Sequence, residues 1–162
     1  MKKCKLLAEK LKSAQHGSTL IEVLAASAII SLALTAASAM TAMSVKLAEN
    51  NERQQLALQK AQEAMETVRR ERFIGSWTDF STAFNQSATY CFNVLPSDLA
   101  TLSATTGACA AEDFLQVANY RFVRQAQVQI HSADALTVNI SITWQDGNKD
   151  KRLDLEQRFE NY

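Results

Sequence analysis

Glycine and proline are scarce. The chain has four glycines and one proline in 162 residues, and between Gly17 and Gly75 it has neither. A stretch of that length without a breaker excludes turns and short elements, and it leaves one continuous helix as the expectation. Histidine is nearly absent too: His16 stands near the start and His131 far along the chain. No nucleophile, base and acid can therefore be assembled into a triad. There is no Cys-x-x-Cys, no Walker-type lysine loop and no Gly-x-Gly-x-x-Gly, so the usual marks of redox and nucleotide chemistry are missing and no cofactor is expected. Charge of one sign is lacking as well, with 17 Lys+Arg against 17 Asp+Glu. Arg69, Arg70 and Arg72 cluster, but Glu66 and Glu71 interleave with them, which argues against a nucleic-acid surface. An enzyme is not expected.

What is present is an uneven distribution of charge. Residues 1–17 hold Lys2, Lys3, Lys5, Lys10 and Lys12 against Glu9 alone, a charge of +4, which leaves −4 for residues 18–162. From Val23 to Val45 there is no charge at all, and the run is built of Val, Leu, Ala, Ile and Met with small Ser and Thr. A bilayer needs about 20 apolar residues in a helix. A basic end before such a run stays on the cytoplasmic side and places the chain beyond the run outside. Its small residues let helices approach closely. Ala37-Ser38-Ala39 has the small-x-small form of a signal-peptidase site, and the alternative it offers is a secreted soluble binding domain. Against that stand the long segment before the run, with Glu22 at its edge, and a helical pattern that continues past Ala39.

Glu22 sits where a membrane segment begins, and a carboxylate there needs water or a positive partner. Gly17-Ser18-Thr19-Leu20-Ile21-Glu22-Val23-Leu24, behind a basic leader, resembles the processing site of the type IV pilin family. The resemblance implies cleavage after Gly17 by a prepilin peptidase and N-methylation of the new first residue, Ser18. It also implies that Glu22, fifth in the mature chain, meets the Ser18 amine of a neighbouring subunit in a filament. The family's usual phenylalanine is replaced by Ser18, and the proline that many members carry in the membrane half is absent, since Pro96 lies far outside it. The function implied is that of a minor type IV pilin in pilus assembly, priming or adhesion, with a minor pseudopilin of type II secretion as the alternative. The implied partners are other pilin or pseudopilin subunits, the peptidase and an inner-membrane assembly platform. The implied location is a single pass of the inner membrane with the head in the periplasm, then the filament.

Beyond the run, Leu47, Leu58, Ala61, Met65 and Val68 recur on one helical face, and Glu49 to Arg53 and Glu66 to Arg70 are spaced to pair one turn apart. After Gly75 the period changes. Leu136 to Trp144 is apolar at every even position. Tyr120, Phe122, Ala126, Val128 and Ile130 alternate likewise, with Arg124 as the exception. Asp146-Gly147 supplies a hairpin turn, and Leu153, Leu155 and Phe159 mark a returning strand. The expectation is an α+β fold: a long N-terminal helix, membrane half followed by amphipathic half, packed on a small antiparallel sheet. Its segments are a leader at 1–17, a membrane half at 18–45 and a head at 46–162, the last divided into helix 46–74, loop 75–118 and sheet 119–162.

Cys91 and Cys109 bracket a turn-rich segment with Pro96 and Gly107, and outside the cytoplasm they are expected to form a disulfide, with free thiols as the alternative. Cys4 lies in the leader. Asp146, Asn148 and Asp150, with Asp154 further on, have the alternate spacing of a calcium loop. Lys151 and Gln157 occupy the positions of its glycine and its bidentate glutamate, so a polar hairpin without metal is the expected form.

Overall fold

The computed structural model describes residues 2–84, 88–98, 101, 105–110 and 112–161, with side chains from residue 19 onward. Helix α1 (Lys2–Ile74) is unbroken: it runs through Gly17 and on across residues 18–74, where there is neither glycine nor proline to interrupt it. Residues 19–49 are exposed throughout. The chain divides into two units at that level, Met1–Ala48 and Glu49–Tyr162.

In the second unit, helix α2 (Trp77–Ala83) follows α1, and among the described residues five strands form one sheet: β1 (Thr89–Cys91), β2 (Leu115–Val117), β3 (Tyr120–Ser132), β4 (Ala135–Asp146) and β5 (Lys149–Glu160). The order is β1-β3-β4-β5, with β2 also on β3, and all pairings are antiparallel. The β3-β4-β5 meander is the one expected from the alternating pattern. The segment expected as loop, 75–118, is more ordered than that, because it holds α2, β1 and β2. Ser76 caps α2 by accepting a hydrogen bond from the Asp79 amide at 3.1 Å. Such a Ser-x-x-Asp start is visible in sequence but easily missed in a helix of seven residues.

The core lies between the head half of α1 and one face of the sheet. Ala57, Ala61, Ala64, Met65 and Val68 are buried against Phe122, Ala126, Val128, Leu136, Val138, Ile140 and Ile142. The sequence expectation put Leu47 and Leu58 on this face, yet both are exposed, at 61% and 41%. Alanines take the central positions because a helix can sit close to a sheet only where side chains are short, and the leucines are displaced to its flank. Ile130 is also exposed, at the far end of β3. One side of the core is aromatic: α2 places Phe80 5.3 Å from Phe84 and 5.4 Å from Phe159, and Phe84 stacks edge-on to Tyr90 at 5.6 Å. Burial raises the Tyr90 phenol above the ordinary tyrosine range.

Arg124, the exception in the β3 alternation, points inward and is 2% exposed. Its Nε donates to the Phe92 carbonyl at 2.6 Å, Nη1 to the Lys60 carbonyl at 3.0 Å and Nη2 to the Asn93 carbonyl at 3.4 Å. The strand backbone joins in: the Arg124 amide donates to Asn93 Oδ1 at 2.8 Å, and the Phe92 amide donates to the Arg124 carbonyl at 2.9 Å. One side chain thus ties α1, the segment after β1 and β3 together. Burial lowers the guanidinium from the usual arginine value, and the charge of Glu63 opposes that.

Two outcomes are expected in urea unfolding of the detergent-solubilised chain. Arg124→Met keeps volume but strips the donor from buried carbonyls, and it lowers stability by about 2–4 kcal/mol; unchanged stability would refute the tie. The raised Tyr90 phenol keeps its proton in the fold when the unfolded chain loses its own near the usual pKa of about 10. Stability is therefore fully present below that pH and falls as pH rises through it, and Tyr90→Phe removes that part of the alkaline loss.

Candidate functional site

Among its described residues the N-terminal unit is helix alone. Within Thr19–Ile74 its apolar run is long and apolar enough to cross a membrane, by length and composition, and none of it is buried. A core helix of a soluble domain would be covered. The polar atoms in this run are satisfied locally. Ser27, Ser31, Thr35, Ser38, Thr41 and Ser44 each donate a hydroxyl to a carbonyl three or four residues earlier, at 2.8–2.9 Å. In hydrocarbon, where no water is at hand, that internal bonding removes the cost these residues would otherwise carry.

Glu22 stands one residue before this run and is exposed, and among the described residues it has no ion-pair partner. Gly17 and Ser18, where cleavage and methylation are expected, lie within α1 by backbone, but with Cys4 and His16 they fall outside the residues whose side chains are described.

Residues 12–38 carry the prokaryotic N-terminal methylation motif. The match spans Gly17, Ser18, Glu22 and most of the apolar run, and it identifies the type IV prepilin-like cleavage and methylation signal. This motif supports a type IV pilin-like precursor. With the exposed apolar helix it fits a single-pass membrane anchor. No curated protein and no solved structure matches the chain.

In the head, Cys91 and Cys109 form the expected disulfide, with Cα atoms 4.7 Å apart. The bridge ties β1 to the segment whose Thr106 forms an isolated bridge with Tyr90. By the loop-entropy model such a link contributes about 3 kcal/mol. The residues with calcium-loop spacing do something else. Asp146, Gly147, Asn148 and Lys149 make a two-residue hairpin between β4 and β5, with Gly147 at a φ of 62°, where glycine is at ease. The Asp146 carboxylate is committed to α1: Arg53 Nη1 reaches Oδ1 at 3.0 Å, and the Asn50 amide, in the orientation that satisfies it, donates to Oδ2 at 2.9 Å. Asp150 lies across from Gln145 instead of joining Asp146. Among the described residues no group of three or more His, Cys, Asp or Glu is arranged to hold a metal ion.

Helical spacing also misassigned the ion pairs. Arg53 does not pair with Glu49 but with Asp146, and its guanidinium lies 4.8 Å from the Tyr120 ring centre. Glu66 pairs with Arg69, and Arg70 with Glu71. Arg72 covers the Trp77 ring at 5.0 Å. His131 stays at the surface, within 2.9 Å of Thr137 Oγ1. A half-buried charge with a partner 93 residues away leaves no local signal, which is why sequence pointed to the nearer glutamate.

Asp146→Asn is expected to lower head stability by about 1–3 kcal/mol, since Arg53 loses a charged acceptor. Amide exchange at residues 50–56 should quicken more than exchange in β3, and equal protection in parent and variant would discount the clasp.

Proposed function

We propose that this chain is a minor type IV pilin, made as a precursor, cut between Gly17 and Ser18 and built into a pilus. Residues 1–17 are the leader on the cytoplasmic side. Residues 18–45 hold the subunit in the inner membrane and afterwards form its part of the filament core, while residues 46–162 make the periplasmic head. Glu22 carries this reading. It is a carboxylate at the lip of an apolar helix, with no partner in its own chain among the described residues, five residues beyond a glycine that the methylation motif spans.

Cleavage frees the amine of Ser18, four residues before Glu22, and that amine is a cation of the right kind to answer the carboxylate of an adjacent copy. An uncompensated charge in an apolar core is strongly disfavoured, whereas a matched pair sets the axial register of one subunit against the next. The exposed small-residue surface of the same helix supports close helix packing among subunits. N-methylation of Ser18 leaves the amine cationic and so preserves the pair. The work assigned to the chain is structural, in assembly, priming or adhesion, and its partners are other pilin subunits, the prepilin peptidase and the inner-membrane platform that extrudes the filament.

Mass spectrometry of the mature protein should find Ser18 at its N-terminus. Gly17→Val should leave the uncut precursor in the membrane fraction. Glu22→Ala should be cut normally yet enter sheared filaments at least about tenfold less than the parent, the loss expected when a buried charge pair goes unmade. A mature chain that begins at Met40, or filaments that take up the Glu22 variant as readily as the parent, would overturn the reading.

A further inference from the structure

The sheet face turned away from α1 carries a site that anchoring does not explain. At the hairpin end of that face a shallow groove of ≈ 400 Å³ is lined by Phe114, Arg121, Val123, Thr143, Gln145 and Asp150. The sheet register builds it. Gln145 lies opposite Asp150, and Phe122 opposite Trp144 sets Arg121 beside Gln145, so Arg121, Gln145 and Asp150 follow one another across three strands. Two residues along, Val123 lies opposite Thr143 and forms the floor. Because side chains alternate across a strand, both rows emerge on the same face.

The chemistry of the groove is specific in three respects. Arg121 stacks its guanidinium over the Phe114 ring at 4.5 Å, which fixes the direction of its N–H donors. Among the described residues neither Arg121 nor Asp150 has an ion-pair partner, although the neighbouring Arg152 is satisfied by Asp154 at 2.8 Å. The two charges cancel, so the groove presents a donor, an amide and an acceptor in a row, with no net field to favour an ion. Beside that row Phe114 is 41% exposed, and Val123 and Thr143 are half-buried, which gives an apolar strip.

A six-membered sugar ring has matching chemistry: a C–H face that lies on an apolar strip, and a rim of hydroxyls that both donate and accept. We propose that this groove binds one unit of a neutral saccharide, with Arg121 and Gln145 donating to hydroxyl oxygens, Asp150 accepting from hydroxyls, and Val123, Thr143 and the edge of Phe114 beneath the ring. The larger groove between α1 and β5 makes a poorer candidate, because Arg69 there is already held by Gln157 at 2.6 Å and by Glu66. The site is independent of whether the chain ends in a pilus.

The test uses the full chain in a detergent without a sugar headgroup and measures saturation-transfer NMR to maltotetraose and to chitotetraose, with sialyllactose and inorganic phosphate as anionic probes. Saturable transfer to at least one neutral tetrasaccharide is expected. Arg121→Ala and Asp150→Ala should each weaken it at least about tenfold, the scale of a hydrogen bond to a charged group. Both positions are exposed, so the fold should survive substitution, and Glu156→Ala, also exposed, should bind as the parent does. No transfer to either tetrasaccharide, undiminished binding in both groove variants, or a preference for sialyllactose or phosphate would overturn the proposal.

Discussion

The head is organised around a single buried cation. Arg124 enters the core from the middle of β3 and gives its donors to three backbone carbonyls, those of Lys60, Phe92 and Asn93. Each carbonyl belongs to chain that lies against the sheet, so the guanidinium adds direction where hydrophobic packing supplies only attraction. Cys109 closes the same neighbourhood, its Sγ 3.4 Å from the Arg124 carbonyl and bonded to Cys91. An arginine in this role is costly to desolvate, and it is held because carbonyl dipoles surround it.

Helix α1 answers to two environments with two compositions. In residues 19–49 its large apolar side chains are bare, and its hydroxyls bond back to its own carbonyls. From Asn50 onward burial begins, and alanines replace the larger side chains on the packed face. Asn50 and Arg53, converging on Asp146, mark the turn of the helix where the head takes hold. A helix whose exposed part is its most apolar part implies a second apolar medium, and lipid or the bodies of sister subunits are the media that fit.

Nearly all of this division could be read in the residues. The helix declared itself through missing glycine and proline over 18–74, its membrane-capable stretch through an uncharged run, and the signal at 17–22 through a resemblance that the methylation motif bears out over residues 12–38. The meander was legible because alternation over Tyr120–Ile130 and Leu136–Trp144 is long enough to exclude a helical period. Short elements were not: β1 and β2 span three residues each, too few for any period, and they exist because β3 offers them an edge.

The sequence by itself determined the order of apolar and polar stretches along the chain, since apolar and aqueous media sort residues by composition without regard to distant partners. Tertiary structure decided what depended on separation in space. It turned Arg124 from an irregularity in a strand into the tie of the core, assigned Asp146 to Arg53 rather than to a metal loop, and moved Leu58 aside for alanine. It also set Arg121, Gln145 and Asp150 in one row. Those outcomes rest on which strands lie side by side and how closely a helix can approach them, and no local pattern of residues encodes either quantity.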